Sequence, residues 1–290
     1  MNVKFTQTRK TAVAIVASAA LLAACGSGTD SATKASASAA ADVECSKDAL
    51  STLTPGTLTI ATGEPAYSPW VEDDAPESGN GFESAVAYAV AKQLGYTNDE
   101  VTWVRTTFDG AIAPGPKTFD FNLQQYSITD DRKKVVDFSS PYYNTPQAVI
   151  TVKGSAIDGK TAIADLATAK LGVGVGTTAV DVVTNTIGAE PQVFNDNAAA
   201  VAALKNGQID GIVVDLPTAL YLSAVEVENG VIVGQLPADE SGDNFGLLLA
   251  KDSPITACVS GAVDALKADG TLAQLAATWL TDTAGAPVLK

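Results

Sequence analysis

Histidine is absent from this 290-residue chain. That removes the Ser-His and Cys-His arrangements of nucleophilic catalysis. With only three cysteines beside it, it also leaves too few soft ligands for the usual zinc sets, so neither a metal nor a cofactor is expected. Positive charge is scarce: 18 Lys and Arg stand against 33 Asp and Glu, a formal net charge of −15. Nucleic-acid binders carry basic patches, so no nucleic-acid partner is expected. The acidity reads as a surface kept from aggregating and says nothing about a ligand. Long apolar runs are also lacking. One run, Thr11 to Leu22, stands out, and it is too short to span a bilayer by itself. Arginine is rarer still: beyond residue 24 there are only Arg105 and Arg132.

The first residues read as a targeting signal. Lys4, Arg9 and Lys10 precede the apolar run, which ends in Leu22-Ala23-Ala24-Cys25, small residues where a signal peptidase cuts. Residues 1–24 are therefore expected to be removed, which takes the formal charge from −15 to −18, since they carry three positive charges and no negative one. A cysteine directly after such a site resembles a bacterial lipobox. The resemblance implies that Cys25 becomes the first residue, carries lipid on its thiol and anchors the protein to the cell membrane. An ordinary secretory signal with an incidental cysteine is the alternative. Residues 26–41 are Ser, Ala and Gly with two charges, unable to bury enough apolar surface to order themselves. Residues 25–44 thus read as a tether, holding the body roughly 20–25 Å from its anchor.

If Cys25 is lipidated, Cys45 and Cys258 remain. In the oxidising exported compartment they either form a disulfide, tying the start of the body to its last helices, or stay as two free thiols.

The body alternates β-like and helix-like runs, which predicts an α/β fold with parallel layers. In a first series, Gly56 to Ala61 and Val101 to Val104 read as strands. Phe82, Val86, Val90 and Leu94 recur at i,i+4 before Gly95, marking a helix and its end. Phe108 to Ile112 reads as a short helix. In a second series Lys170 to Val175, Pro191 to Phe194, Ile209 to Val214 and Val231 to Val233 read as strands. Thr177 to Thr186, a segment capped by Asp196 or Asn197, and Pro217 to Ala224 read as helices. Ser253-Pro254 reads as an N-cap and N1 pair, before two helices facing inward through Leu266, Leu272, Leu275 and Trp279. Two extended segments, Gln147 to Val152 and about Asp243 to Leu249, separate the series. If both join the same two lobes, they form a hinge with a ligand cleft between the lobes. The expected division is 45–149 for the first part of lobe one, 150–243 for lobe two, and 244–290 for the return to lobe one.

The stretch Ser127 to Tyr143, SITDDRKKVVDFSSPYY, resembles the signature of family 3 extracellular solute-binding proteins, the amino-acid receptors of ABC importers. Pro65-Ala-Tyr-Ser-Pro-Trp70, Gly81-Phe82-Glu83, Phe108-Asp109, Gly176-Thr177-Thr178 and Asp210-Gly-Ile-Val-Val-Asp215 resemble further family segments in family order. The resemblance implies a two-lobed, periplasmic-binding-protein-like type II fold. It also implies a binding protein rather than an enzyme, working outside the cytoplasm with a permease and its ATPase. A monomer is expected. A ligand-sensing receptor subunit and a dehydratase-like enzyme on the same fold are the alternatives.

By position, the resemblance implies that Arg132 grips the α-carboxylate of a free amino acid, with a fork suited to two parallel hydrogen bonds. Ser127 touches the same end of the ligand. Thr177, opening a helix, meets the carboxylate where the helix dipole favours an anion. Asp215 pairs with the α-ammonium, and Phe108 and Tyr67 enclose the side chain. Each also has a structural alternative: Arg132 as a surface partner of Asp130 or Asp131, Asp215 and Thr177 as helix caps, and Phe108 and Tyr67 as core. The chain departs from the family pattern at Gln124-Gln125, at Gly63-Glu64 and at Gly174. Gln125 and Glu64 are included in the expected site, where with Gln124 they would favour a long polar side chain such as that of glutamine or arginine.

Overall fold

The computed structural model describes residues 45–237, 243–280 and 286–290, within the compact unit Asp42–Lys290. The signal, Cys25 and the tether lie outside the described residues.

Two five-stranded sheets organise the body. The strands are β1 (Leu58–Gly63), β2 (Val101–Thr106), β3 (Phe121–Asn122), β4 (Val136–Thr145), β5 (Gln147–Val152), β6 (Leu171–Gly174), β7 (Pro191–Phe194), β8 (Gly211–Asp215), β9 (Gly230–Gln235) and β10 (Asp243–Ala250). The first sheet runs β2-β1-β3-β10-β4 and the second β7-β6-β8-β5-β9. In each, three strands are parallel and the fourth and fifth positions are antiparallel to their neighbours. Strand β1 is buried at every residue, as a central parallel strand covered on both faces must be. Helices flank the sheets: α1 (Phe82–Gln93), α2 (Phe108–Ile112), α3 (Ala179–Asp181), α4 (Asn197–Lys205), α5 (Leu216–Tyr221), α6 (Thr256–Ala268) and α7 (Thr271–Trp279). Helices α3 and α5 each continue as a wider π turn, to Ile187 and Glu226. This is an α/β, two-lobed fold.

The helical spacing read from the sequence has its physical counterpart in α1. Phe82, Val86 and Val90 are fully buried against the first sheet, each contributing about 1.5–3 kcal/mol of burial. Gly95 ends the helix at φ 88°. Gly81 precedes it at φ 98°, where a Cβ would stand 2.6 Å from the Trp70 carbonyl oxygen. Only glycine lets the helix start that close to the 65–71 loop.

The structure refines the sequence reading in three places. Gln147 to Val152 and Asp243 to Leu249 are not free crossings. Each is a strand inserted between two partners, β5 between β8 and β9, β10 between β3 and β4. The first passage between sheets is therefore short, at Pro146 between β4 and β5, a few residues before the expected boundary at 150. Ser253-Pro254 forms a turn ahead of α6, with the Thr256 amide donating to the Ser253 carbonyl, and the helix proper starts at Thr256. The assignment of 244–290 to lobe one does not hold for its last residues. Val288 pairs with Gln235 of the second sheet, Leu289 is buried in that sheet's core, and the Lys290 carbonyl accepts from the Ile163 amide. Gly234 makes room for this tail, since a Cβ there would meet the Leu289 side chain at 2.7 Å.

Cys45 and Cys258 form a disulfide across a sequence separation of 213, fastening the segment before β1 to α6. A loop this long gives a large entropic restriction of the unfolded chain. Replacing both cysteines by serine should lower unfolding stability by about 2–5 kcal/mol in urea titration. An unchanged midpoint would show that the bridge constrains nothing the fold needs.

Candidate functional site

Parallel strands deliver the segments that succeed them to one edge. Those after β1 (Glu64 to Trp70), β2 (Thr107, Phe108), β3 (Gln124 to Ser127), β6 (Val175 to Ala179) and β7 (Asn195 to Asn197), with Asp215 at the end of β8, all line one cavity of about 220 Å³ between the sheets. The carboxyl ends of strands are where open α/β sheets place ligands. That volume is on the scale of one small molecule.

The two arginines divide sharply. Arg105 is used within the fold, donating to Asp74 and to the Gly63 carbonyl. Arg132 is 8% exposed and makes no ion pair among the described residues. Asp130 and Asp131 pair instead with Lys133 and Lys134, so Arg132 is not their surface partner. Its Nη1 donates to the Ser127 carbonyl at 2.7 Å, and its Nη2 to the Gly176 carbonyl of the other lobe at 2.9 Å. Its plane lies over the Phe108 ring, 5.3 Å from the centroid, a cation–π contact. Phe108 in turn stacks on Tyr126 at 4.7 Å. Burial pulls the guanidinium pKa down, opposed by Tyr126, Asp243 and Asp215. Each terminal nitrogen is thus held by one carbonyl, and the guanidinium lines the cavity with its remaining N–H groups unpartnered among the described residues.

Asp215 faces it from the second lobe. It ends β8 and precedes α5 but makes no capping bond, so its carboxylate is not held by the helix. Burial, with Asp243 and Glu83 nearby, pushes its pKa up to about 8. A half-buried carboxyl that is costly to ionise is stabilised by an arriving cation.

The other expected residues divide between the cavity and the frame around it. The Ser127 hydroxyl lies 3.5 Å from that of Thr178 across the cleft. Thr177 lines the cavity, but its hydroxyl donates to the Gly174 carbonyl at 2.8 Å. The helix after it starts later than expected, at Ala179. Tyr67 lines the cavity with a buried hydroxyl that has no partner among the described residues. Burial and Asp196 raise its pKa. Glu64 is exposed at the cavity's rim. Gln125 sits at φ 51°, and its side-chain amide and backbone N–H both donate to the buried Glu83 rather than into the cavity. Gln124 accepts from the Tyr126 hydroxyl at 2.9 Å.

Four residues of the site have no role in the sequence reading. Glu83, also bonded by the Tyr142 hydroxyl, has its pKa pushed up to about 7 by burial and supports the Gln125 turn from behind. Thr218 accepts from the Trp70 indole across the cleft at 2.8 Å. Thr178 accepts from Gln147, which also donates to Asp243. The signals available were Gly81-Phe82-Glu83 and the second Thr of Gly-Thr-Thr. Gln147 and Thr218 carry no local pattern.

A family model described as bacterial extracellular solute-binding proteins, family 3, matches residues 58–282. A probable histidine-binding protein of Campylobacter jejuni is 32% identical over 220 residues, covering 74% of this chain and 82% of that one. The L-cystine-binding protein of Escherichia coli is 31% identical over 238 residues, covering 81% and 85%. Among solved structures, an ancestral arginine-binding protein bound to glutamine superposes with a TM-score of 0.66 at 32% identity, covering 78% of this chain and 98% of that one.

The elevated pKa of Asp215 has a measurable consequence. Its ordinary value, kept in the unfolded chain, is 3.8 and its folded value about 8, so between them the native state holds a proton that the unfolded chain has lost. Stability therefore falls as pH rises from about 4 to about 8. Asp215→Asn should raise the melting temperature at pH 8 and leave it unchanged near pH 4. Equal effects at both values would show that Asp215 is not held neutral.

Proposed function

The chain belongs to the bacterial extracellular solute-binding proteins, family 3, and from that membership we propose that it captures a free amino acid with a polar side chain for an ABC importer. The observation that carries this reading is the pairing, in one cavity, of a buried arginine and an uncapped aspartate from the opposite lobe, neither in an ion pair among the described residues. Arg132 and Asp215 together offer a fixed positive fork and a potential negative charge. A small zwitterion is the molecule that satisfies both. Relatives named for binding histidine, cystine and arginine, and a structural neighbour holding glutamine, support the amino-acid class.

The mechanism is capture and closure. Arg132 and the Ser127 hydroxyl hold the ligand carboxylate on the first lobe, with Phe108 and Tyr67 walling its side chain. The second lobe adds Asp215 to the ammonium and the 176–178 turn to the carboxylate. Only contacts made solely in the closed form favour closure. Micromolar affinity needs about 8 kcal/mol net. Hydrogen bonds to charged groups at about 1.5–3 kcal/mol each, with aromatic burial, are of that scale. The side-chain end is bordered by Glu64, Gln124 and Asn195, polar groups that suit glutamine or arginine. The loaded form then docks on a membrane permease energised by an ATPase, the receptor being held at the cell membrane by lipid on Cys25. One structural neighbour is described as a precursor of cyclohexadienyl dehydratase. The exposed position of Glu64 favours binding over turnover, and incubating each ligand and assaying for product separates the two.

A thermal-shift panel of the common amino acids should single out the ligand, since a molecule binding only the native state raises the melting temperature. With that ligand, Arg132→Ala should abolish calorimetric binding. Arg132→Lys should weaken it at least tenfold, because one ammonium cannot replace the fork. Unchanged affinity in both variants would sink the assignment. For the anchor, Cys25→Ser should move the protein from the membrane fraction to the medium; continued membrane retention would refute lipidation at that thiol.

A further inference from the structure

We propose that Gln147 is a ligand-contacting residue: its side-chain oxygen accepts from the α-ammonium of the bound amino acid, while its nitrogen ties the occupied site to the second passage between the lobes. The inference rests on the amino-acid reading of the cavity and adds a residue to it.

Gln147 opens β5 immediately after the first passage at Pro146. It is 5% exposed and lines the cavity. Its amide is asymmetrically used. Nε2 donates at 2.8 Å to the Thr178 hydroxyl and at 2.8 Å to Asp243 Oδ2, whereas Oε1 is buried with no hydrogen-bond partner among the described residues. The orientation follows from chemistry. A carboxylate accepts and cannot donate, so the amide edge facing Asp243 must be the nitrogen, which turns the oxygen away from it.

A buried acceptor without a donor is unfavourable, and a methionine at this position would avoid it. Its strand register says which donor it suits. Gln147 is the residue directly paired with Asp215 across the antiparallel β5–β8 ladder, so the orphan oxygen and the uncapped carboxylate belong to the same corner of the site. The charges around that corner are Asp215, Asp243 and Glu83, against Arg132 as the cation. An ammonium carries several N–H donors and a positive charge. It can satisfy Asp215 and Gln147 together and relieve the local excess of carboxylates.

The second half of the proposal is mechanical. Asp243 is the first residue of β10, where the chain re-enters the first sheet. The Gln147–Asp243 bond therefore joins the residues at which the two interlobe passages end, and Thr178 brings in the turn that faces Ser127. Ligand held by Oε1 fixes the rotamer that keeps both Nε2 bonds, so occupancy and closure reinforce each other.

The test uses the whole protein with the amino acid found by the thermal-shift panel. A crystal structure of that complex should place Gln147 Oε1 within about 3.2 Å of the α-nitrogen. Calorimetry of a folded Gln147→Met variant should show about tenfold weaker binding, the scale of losing one hydrogen bond to a charged group. An Oε1 turned away from the α-nitrogen in the complex, or undiminished affinity in a folded Gln147→Met variant, overturns the proposal while leaving the receptor reading intact. If the unmodified protein binds no amino acid at all, the reading itself fails and takes this inference with it.

Discussion

Everything in this molecule turns on where one guanidinium is kept. Arg132 is withdrawn from water with no ion pair among the described residues, held instead by two backbone carbonyls, one from each lobe. Removing a cation from water costs several kcal/mol even after relaxation, and neutral carbonyls offset only part of that. The arrangement leaves a standing demand for an anion. The same logic with opposite sign applies to Asp215, whose burial holds it near neutrality until a cation arrives. Two complementary demands, on opposite lobes, leave the site electrostatically unfinished, which is what the proposed zwitterion would complete.

The fold serves this by geometry. Two sheets of matching topology aim the carboxyl ends of their parallel strands at a shared space. Because the segments after strands carry few ladder hydrogen bonds, such as the isolated Ser127–Phe245 bridge, they can carry polar side chains inward without breaking the sheets. Apolar burial is concentrated elsewhere, in separate cores on the two faces of each sheet. The site can therefore be polar without depriving either lobe of its own stability. Cross-cleft bonds such as Trp70 to Thr218 then bring the lobes together through few, directional contacts.

Much of this was legible in the residues. The spacing of Phe82, Val86 and Val90, the Pro191 to Phe194 strand and the Asp196 cap are local signals, and local physics places them where the sequence suggests. That Arg132 and Asp215 line the cavity was legible through their setting in the Ser127 to Tyr143 stretch and in Asp210 to Asp215. What was not legible is long-range. Gln125 lines the cavity, but that Glu83, 42 positions away, takes its backbone and side-chain N–H groups could not be read. Thr177 looks like the start of a helix, yet its hydroxyl folds back on Gly174. Gln147 and Thr218 acquire meaning only from partners far along the chain, and no sequence window contains both members of such a pair. The tail escapes notice for the same reason, since nothing in Val288-Leu289 announces which sheet has left space at Gly234.

That tail alters the kinematics of the molecule. Bodies joined by two adjacent cords can swing apart widely about them. Here Leu280 lies in the first lobe's core, the Ala286 carbonyl accepts from Gln235 of the second sheet, and Leu289 is seated in the second lobe's core. Six residues reach at most about 20 Å when fully drawn out. The stroke of the receptor is thereby leashed: the lobes can part only as far as that span extends, unless Leu289 is first drawn from its socket.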